Sequence, residues 1–120
     1  MPKQWIQSPK APEPIGCYSQ AIEAGSVVYL SGQIPSIEDD FKAQVHEVFK
    51  NMQAVTEAAG GDLNDIVKLT VYLTEMTNLS IVNEVMEAYF QKPYPARTSI
   101  TVAALPKNVP IEIDAIMRLN

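Results

Sequence analysis

The chain has 120 residues, enough for a single domain (1–120) with a real core, since folding at this size buries roughly two-thirds of the accessible surface. Hydrophobic residues make up 47% and charged residues 19%, which excludes a disordered chain; nine Lys and Arg against fourteen Asp and Glu give a net charge of −5, which disfavours non-specific binding to nucleic acid or an anionic membrane. One cysteine, Cys17, excludes an intrachain disulfide, and with no apolar leader after Met-Pro-Lys-Gln-Trp the expected compartment is the cytoplasm, with no membrane partner.

The elements follow in chain order. Pro2, Pro9, Pro12 and Pro14 make the first fourteen residues an extended arm, with room for a short strand at Lys3–Gln7. Tyr18–Ala24 and Ser26–Ser31 read as two strands around a turn at Gly25. Phe41, Val45, Val48, Met52, Val55 and Ala59 recur at spacings of 4, 3, 4, 3 and 4, one apolar stripe of a helix. Asp39 and Asp40 suit its N-terminal end and Gly60-Gly61 its C-cap. Ile66–Thr74 alternates with period two and is a strand. Asn78–Phe90 is a second helix with Leu79, Val82, Val85 or Met86, and Tyr89 inward; Thr77 or Asn78 is its expected N-cap, and Pro93 and Pro95 stop it. Strands at Ala96–Ala103 and Pro110–Leu119, joined by a Leu105-Pro106-Lys107-Asn108 loop, complete the order β-β-β-α-β-α-β-β.

That order implies an α+β fold, a mixed sheet with two helices on one face. It leaves the other face open. Ile116 lies on the opposite side of its strand from Ile113, Ala115 and Met117, so a second subunit is expected to cover that face.

Chemistry-bearing residues are few. The only histidine is His46, on the first helix beside the apolar stripe and read as a helix-flank residue. With one histidine and one distant cysteine, no metal-ligand cluster and no Ser-His-Asp or Cys-His arrangement is expected. No phosphate-cradling glycine motif and no aromatic-basic platform for RNA is present. Arg97, one of two arginines, opens a strand and is a natural carboxylate clamp, with a surface or intersubunit salt bridge as the plainer reading. Glu112, flanked by isoleucines, is placed for desolvation and acid–base work, or else simply faces solvent on the polar side of its strand. Tyr18 and Ser31-Gly32-Gln33 fall at strand ends, where backbone groups are left unpaired or serve turns. Cys17 has no base near it in sequence and reads as a structural thiol. These residues suggest a small carboxylate held by Arg97 with Glu112 as acid–base.

Six collinear stretches carry a resemblance over nearly the whole chain: Ile15-Gly16-Cys17-Tyr18-Ser19-Gln20-Ala21, Leu30-Ser31-Gly32-Gln33-Ile34-Pro35, Val82-Asn83-Glu84-Val85, Pro95-Ala96-Arg97-Thr98-Ser99, Ala103-Ala104-Leu105-Pro106 and Ile111-Glu112-Ile113-Asp114-Ala115. Together they resemble the Rid (YjgF) family of reactive-intermediate, or enamine/imine, deaminases. The resemblance implies a chorismate-mutase-like fold and a homotrimer with the sheets packed into a central barrel and clefts between subunits. It implies cofactor-free hydrolysis of 2-aminoacrylate and 2-aminocrotonate, the products of pyridoxal-phosphate dehydratases, to 2-keto acids and ammonia. Carried over by position, it makes Arg97 the carboxylate clamp, Glu112 the residue that activates water and Tyr18 the cleft tyrosine. Ser31 and Gly32 then face the imine end, and Asn83 and Ser99 line the cleft. Ser99 stands where many members have cysteine, Cys17 where proline is common, and the segment between Pro35 and Phe41 is roughly ten residues shorter than usual in the family, which alters one cleft wall near Gln33. A regulatory member that binds 2-keto acids without turnover is the alternative. A ribonuclease or translation inhibitor is the third reading, which the net charge of −5 disfavours.

Overall fold

The structure is a computed structural model, and it describes residues 2–36 and 40–120. Its elements are β1 (Gln4–Ile6), β2 (Ala21–Ala24), β3 (Val27–Gln33), α1 (Phe41–Ala58), β4 (Ile66–Leu73), α2 (Leu79–Tyr89), β5 (Ala96–Thr101) and β6 (Ile111–Arg118). The order is the one the periodicities imply. The six strands form one sheet in the order β1-β2-β3-β6-β4-β5. All neighbours are antiparallel except β4 and β5, which are parallel because α2 carries the chain back across the sheet between them.

Residues paired across neighbouring strands share a face, so the register sorts the sheet. Leu30, Ala115, Leu69 and Arg97 form one row across β3, β6, β4 and β5, on the face that the helices cover. Leu69, Val71, Leu73, Ile111, Ile113 and Met117 are fully buried there against Val45, Val48, Phe49, Met52 and Val55 of α1 and Val82 and Val85 of α2. The opposite face carries Trp5, Ile22, Tyr29, Ile116 and Lys68 as one continuous row. Among the described residues no helix lies over it: Trp5 is 67% exposed and Tyr29 52%, too much apolar surface for a face designed only for water.

Helix ends follow local chemistry. Asp40 caps α1 by accepting from the Ala43 N–H at 2.9 Å, whereas Asp39 lies outside the described residues. Gly60 follows the last turn at φ +95°, as a C-terminal glycine should. The N-cap expected of Thr77 or Asn78 is not formed by a side chain. The chain instead enters α2 through a 3-10 turn at Met76–Asn78, whose backbone hydrogen bonds do that work. The strand expected from Tyr18 begins only at Ala21. Gly16 at φ +130° breaks the extended run upstream, and the buried Gln20 side chain turns to the proline arm instead. Its amide donates to the carbonyls of Ser8 and Pro12 at 3.2 and 2.9 Å and its carbonyl accepts from the Ser8 N–H, which fastens the arm beside the end of the sheet. His46 is more than a flank residue: its Nδ1 lies 2.9 Å from the Tyr89 hydroxyl and joins α1 to α2.

Candidate functional site

The expected site residues fall into two groups. The first lines a cavity of about 720 Å³ at the end of the sheet. Tyr18, Ser31, Gly32 and Glu112 are all on its wall, together with Pro12 and Ile15 of the arm, Ile34 and Pro35 after β3, Glu47 of α1, and Pro106 and Lys107 before β6. The second group lines a separate hollow of about 450 Å³ beside α2: Asn83 and Arg97, with Met86, Glu87, Tyr94 and Pro95.

In the first group, a register shift between Leu30 and Gln33 bulges β3 at Ser31-Gly32. The bulge brings the Gly32 backbone against the Glu112 side chain. A Cβ added at Gly32 would overlap the Glu112 Oε2 atom and come within 2.7 Å of its Cδ, so only glycine leaves that carboxylate where it is. Ser31 is fixed by its hydroxyl, which donates to the Ser19 carbonyl at 2.6 Å, and by its N–H, which donates to the Gln20 carbonyl at 2.9 Å. The Tyr18 ring is half-exposed, and its hydroxyl accepts weakly from the Ile15 N–H at 3.4 Å. Glu112 alternates with the buried Ile111 and Ile113 and so faces away from the helices, partly buried. Burial, and then the charge of Asp114, push its carboxyl above the usual carboxylate range. The expected desolvation is therefore present.

In the second group, Arg97 shares the row of Leu69 and reaches toward α2. Its Nη1 donates to Asn83 Oδ1 at 2.6 Å and lies 3.3 Å from Met86 Sδ. Ser99, on the same face two residues along, has a buried Oγ with no hydrogen-bond partner among the described residues. A guanidinium oriented by an amide, next to an unpaired hydroxyl, is a donor set for a carboxylate.

The two groups do not meet within one chain. Tyr72 of β4 pairs with Glu112 on one side and Ile100 on the other, so Glu112 belongs to the open face, while Arg97 belongs to the helix face. The sheet itself stands between Glu112 and Arg97.

Sequence reasoning missed several residues beside Glu112. Asp114 and Tyr72 share its face, and the Tyr72 hydroxyl donates to Asp114 Oδ2 at 2.9 Å. The alternation Ile111-Glu112-Ile113-Asp114 already put both acids on one side, so period two was the available signal. Glu47, Lys107 and Pro12 reach the cavity only through tertiary folding and had none, whereas Ile15 opens the stretch that carries Tyr18. Among the described residues no three His, Cys, Asp or Glu side chains are grouped to hold a metal ion, and no helix is long and apolar enough to cross a membrane.

Comparison with known proteins identifies the family and the fold. The family profile described as Endoribonuclease L-PSP matches residues 8–119. A Dermatophagoides farinae protein named 2-iminobutanoate/2-iminopropanoate deaminase is 41% identical over 97% of this chain and 96% of its own. The crystal structure of RidA from the Antarctic bacterium Psychrobacter sp. PAMC 21119 superposes with a TM-score of 0.94 at 46% identity, covering 97% of this chain and 99% of that one. Escherichia coli TdcF with bound serine superposes at 0.93 and 37% identity, covering 98% and 99%. The fold is thus the mixed α+β fold that the motifs imply, and the chain belongs to the Rid (YjgF) family, described by its profile as endoribonuclease L-PSP.

Proposed function

We propose that this protein is a reactive-intermediate deaminase that hydrolyses 2-iminobutanoate and 2-iminopropanoate to the 2-keto acids and ammonia. The observation that carries the reading is Glu112, a carboxyl raised above its usual range and held against Gly32 on the wall of a cleft. A base tuned toward neutrality is what water activation needs. The name of the Dermatophagoides relative supports the same chemistry.

The reaction adds one water. Arg97, with Nη1 taken by Asn83, keeps its other donors for the substrate carboxylate and so fixes C2 of the imine. The Ser99 hydroxyl is free to add a hydrogen bond. Water beside Glu112 attacks C2; the C–O bond forms as the proton passes to the carboxylate and the C=N electron pair moves to nitrogen. Glu112 returns that proton to the nitrogen, giving a carbinolamine; it then takes the new hydroxyl's proton and passes it to the amine, the C–N bond breaks, and ammonia leaves as the carbonyl forms. The Tyr18 hydroxyl, with Ser31 and Gly32, borders the nitrogen side.

A site that uses both Arg97 and Glu112 must draw them from two chains, because one chain holds them on opposite faces of its sheet. The apolar open face is the surface through which a homotrimer would assemble. The serine bound to the E. coli neighbour favours a second reading, small-carboxylate binding without turnover. Nuclease action is disfavoured by the net charge of −5.

The test generates the imine with a pyridoxal-phosphate threonine dehydratase and follows 2-ketobutyrate release. Faster release with the protein, lost in Arg97→Ala, supports the deaminase. No acceleration, with 2-keto acid binding seen by calorimetry, replaces it with the second reading.

A further inference from the structure

The face that carries Glu112 holds a second acid that the proposed reaction does not use. Asp114 lies two residues along β6, roughly 7 Å away along the strand, on the same side of the sheet. Its carboxylate does not turn toward solvent alone: the Tyr72 hydroxyl donates to Oδ2 at 2.9 Å, across from the neighbouring strand. Tyr72 is itself the register partner of Glu112, so the three side chains form one cluster on β4 and β6. Two carboxyl groups on successive same-face positions of one strand repel when both are ionised, so the ionised Asp114 opposes ionisation of Glu112.

We propose that Asp114, with its carboxylate fixed by Tyr72, is a positioning residue that acts through Glu112: it sets the proton affinity of that group without touching substrate. The charge beside Glu112 favours the protonated form, which makes the ionised form a stronger base toward the attacking water. Glu112 has other titratable neighbours. Glu13, Tyr18, Glu47 and Lys107 line the same cavity, and Tyr72 and Asp114 lie beside it on the sheet. Glu47 is occupied by Ser36, accepting from its N–H and hydroxyl at 3.0 to 3.1 Å. Burial and Asp114 are the two influences that raise Glu112.

The substitution Asp114→Asn isolates the charge, because the amide oxygen still accepts from Tyr72. The kinetic readout rests on the deaminase reading, so a second one is independent of turnover: the side-chain carboxyl titration of Glu112 followed by NMR in the whole protein. The expected result is that Asp114→Asn moves the Glu112 titration, and the acidic limb of kcat/KM, to lower pH, because the like charge that opposes ionisation of Glu112 is gone. Asp114→Glu, which keeps the charge, should leave both near the parent position, and Asp114→Ser repeats the shift should the asparagine variant fold poorly. A Glu112 titration unmoved in both charge-free variants overturns the proposal, whatever happens to the rate. Absence of imine turnover in the parent protein overturns the deaminase reading alone, since the NMR titration still decides the role of Asp114.

Discussion

Replacing Gly32 by alanine separates the position of the Glu112 carboxylate from the stability of the fold. The new Cβ would meet Glu112 Cδ at 2.7 Å and Cγ at 3.0 Å. Ordinary contact begins near 3.4 Å, so Cδ must retreat by about 0.7 Å, and Oε2 by more. The backbone at Gly32 is not in the left-handed region, so alanine itself is not strained there. What gives way is the end of a flexible side chain, at a cost of about 0.5–1.5 kcal/mol if Glu112 leaves its rotamer. A displacement near 1 Å of a group that must meet the attacking water costs on the order of 10²-fold in rate. Gly32→Ala should therefore lower kcat/KM for imine hydrolysis about a hundredfold while the melting temperature falls by only a few degrees. The assay is coupled 2-ketobutyrate release, beside calorimetric melting of the same preparation. Parent-like activity in a folded Gly32→Ala variant would refute the assignment of Glu112 as the base at this position.

Other consequences can be measured on the same preparations. Arg97→Ala and Glu112→Gln should each be inactive, yet co-refolded in equal amounts they should recover about a quarter of the parent activity, because a quarter of sites between chains then receive both intact residues; no recovery would place the two residues in separate functions. The raised Glu112 carboxyl makes the native state hold its proton more tightly than the unfolded chain does, so its contribution is present below the ordinary carboxylate range and lost as pH rises through the raised value. Glu112→Gln should accordingly raise the melting temperature more at pH 7 than at pH 4, and equal shifts at both would contradict the desolvation. Leu69→Ala, at a fully buried position in an interior strand of the sheet, should cost about 2–5 kcal/mol in urea unfolding, far more than Val67→Ala on the exposed side.

Local patterns in the chain carried most of the architecture. The apolar stripe from Phe41 to Ala59 needs nothing beyond its own periodicity to become a helix, and Ile66–Leu73 reads as a strand for the same reason. The strand start misplaced by more than one residue, at Tyr18, came where a buried glutamine traded its own segment for the arm twelve residues upstream. No local rule reports such an exchange. Site residues were legible where alternation exposes them: Glu112 between two isoleucines is turned outward by period two, and Asp114 could have been read with it.

What period two cannot supply is how the strands stand beside one another. The sequence by itself determined which residues of each strand share a side, because that follows from a repeat of one residue up, one residue down. It did not determine that β6 lies between β3 and β4, nor that Leu69 is level with both Arg97 and Ala115 while Tyr72 is level with Glu112. Those pairings close contacts between residues far apart in the chain, selected by the packing of one sheet face against two helices. That Arg97 and Glu112 lie on opposite faces of one sheet emerges only on folding, because the face a strand buries depends on what it packs against.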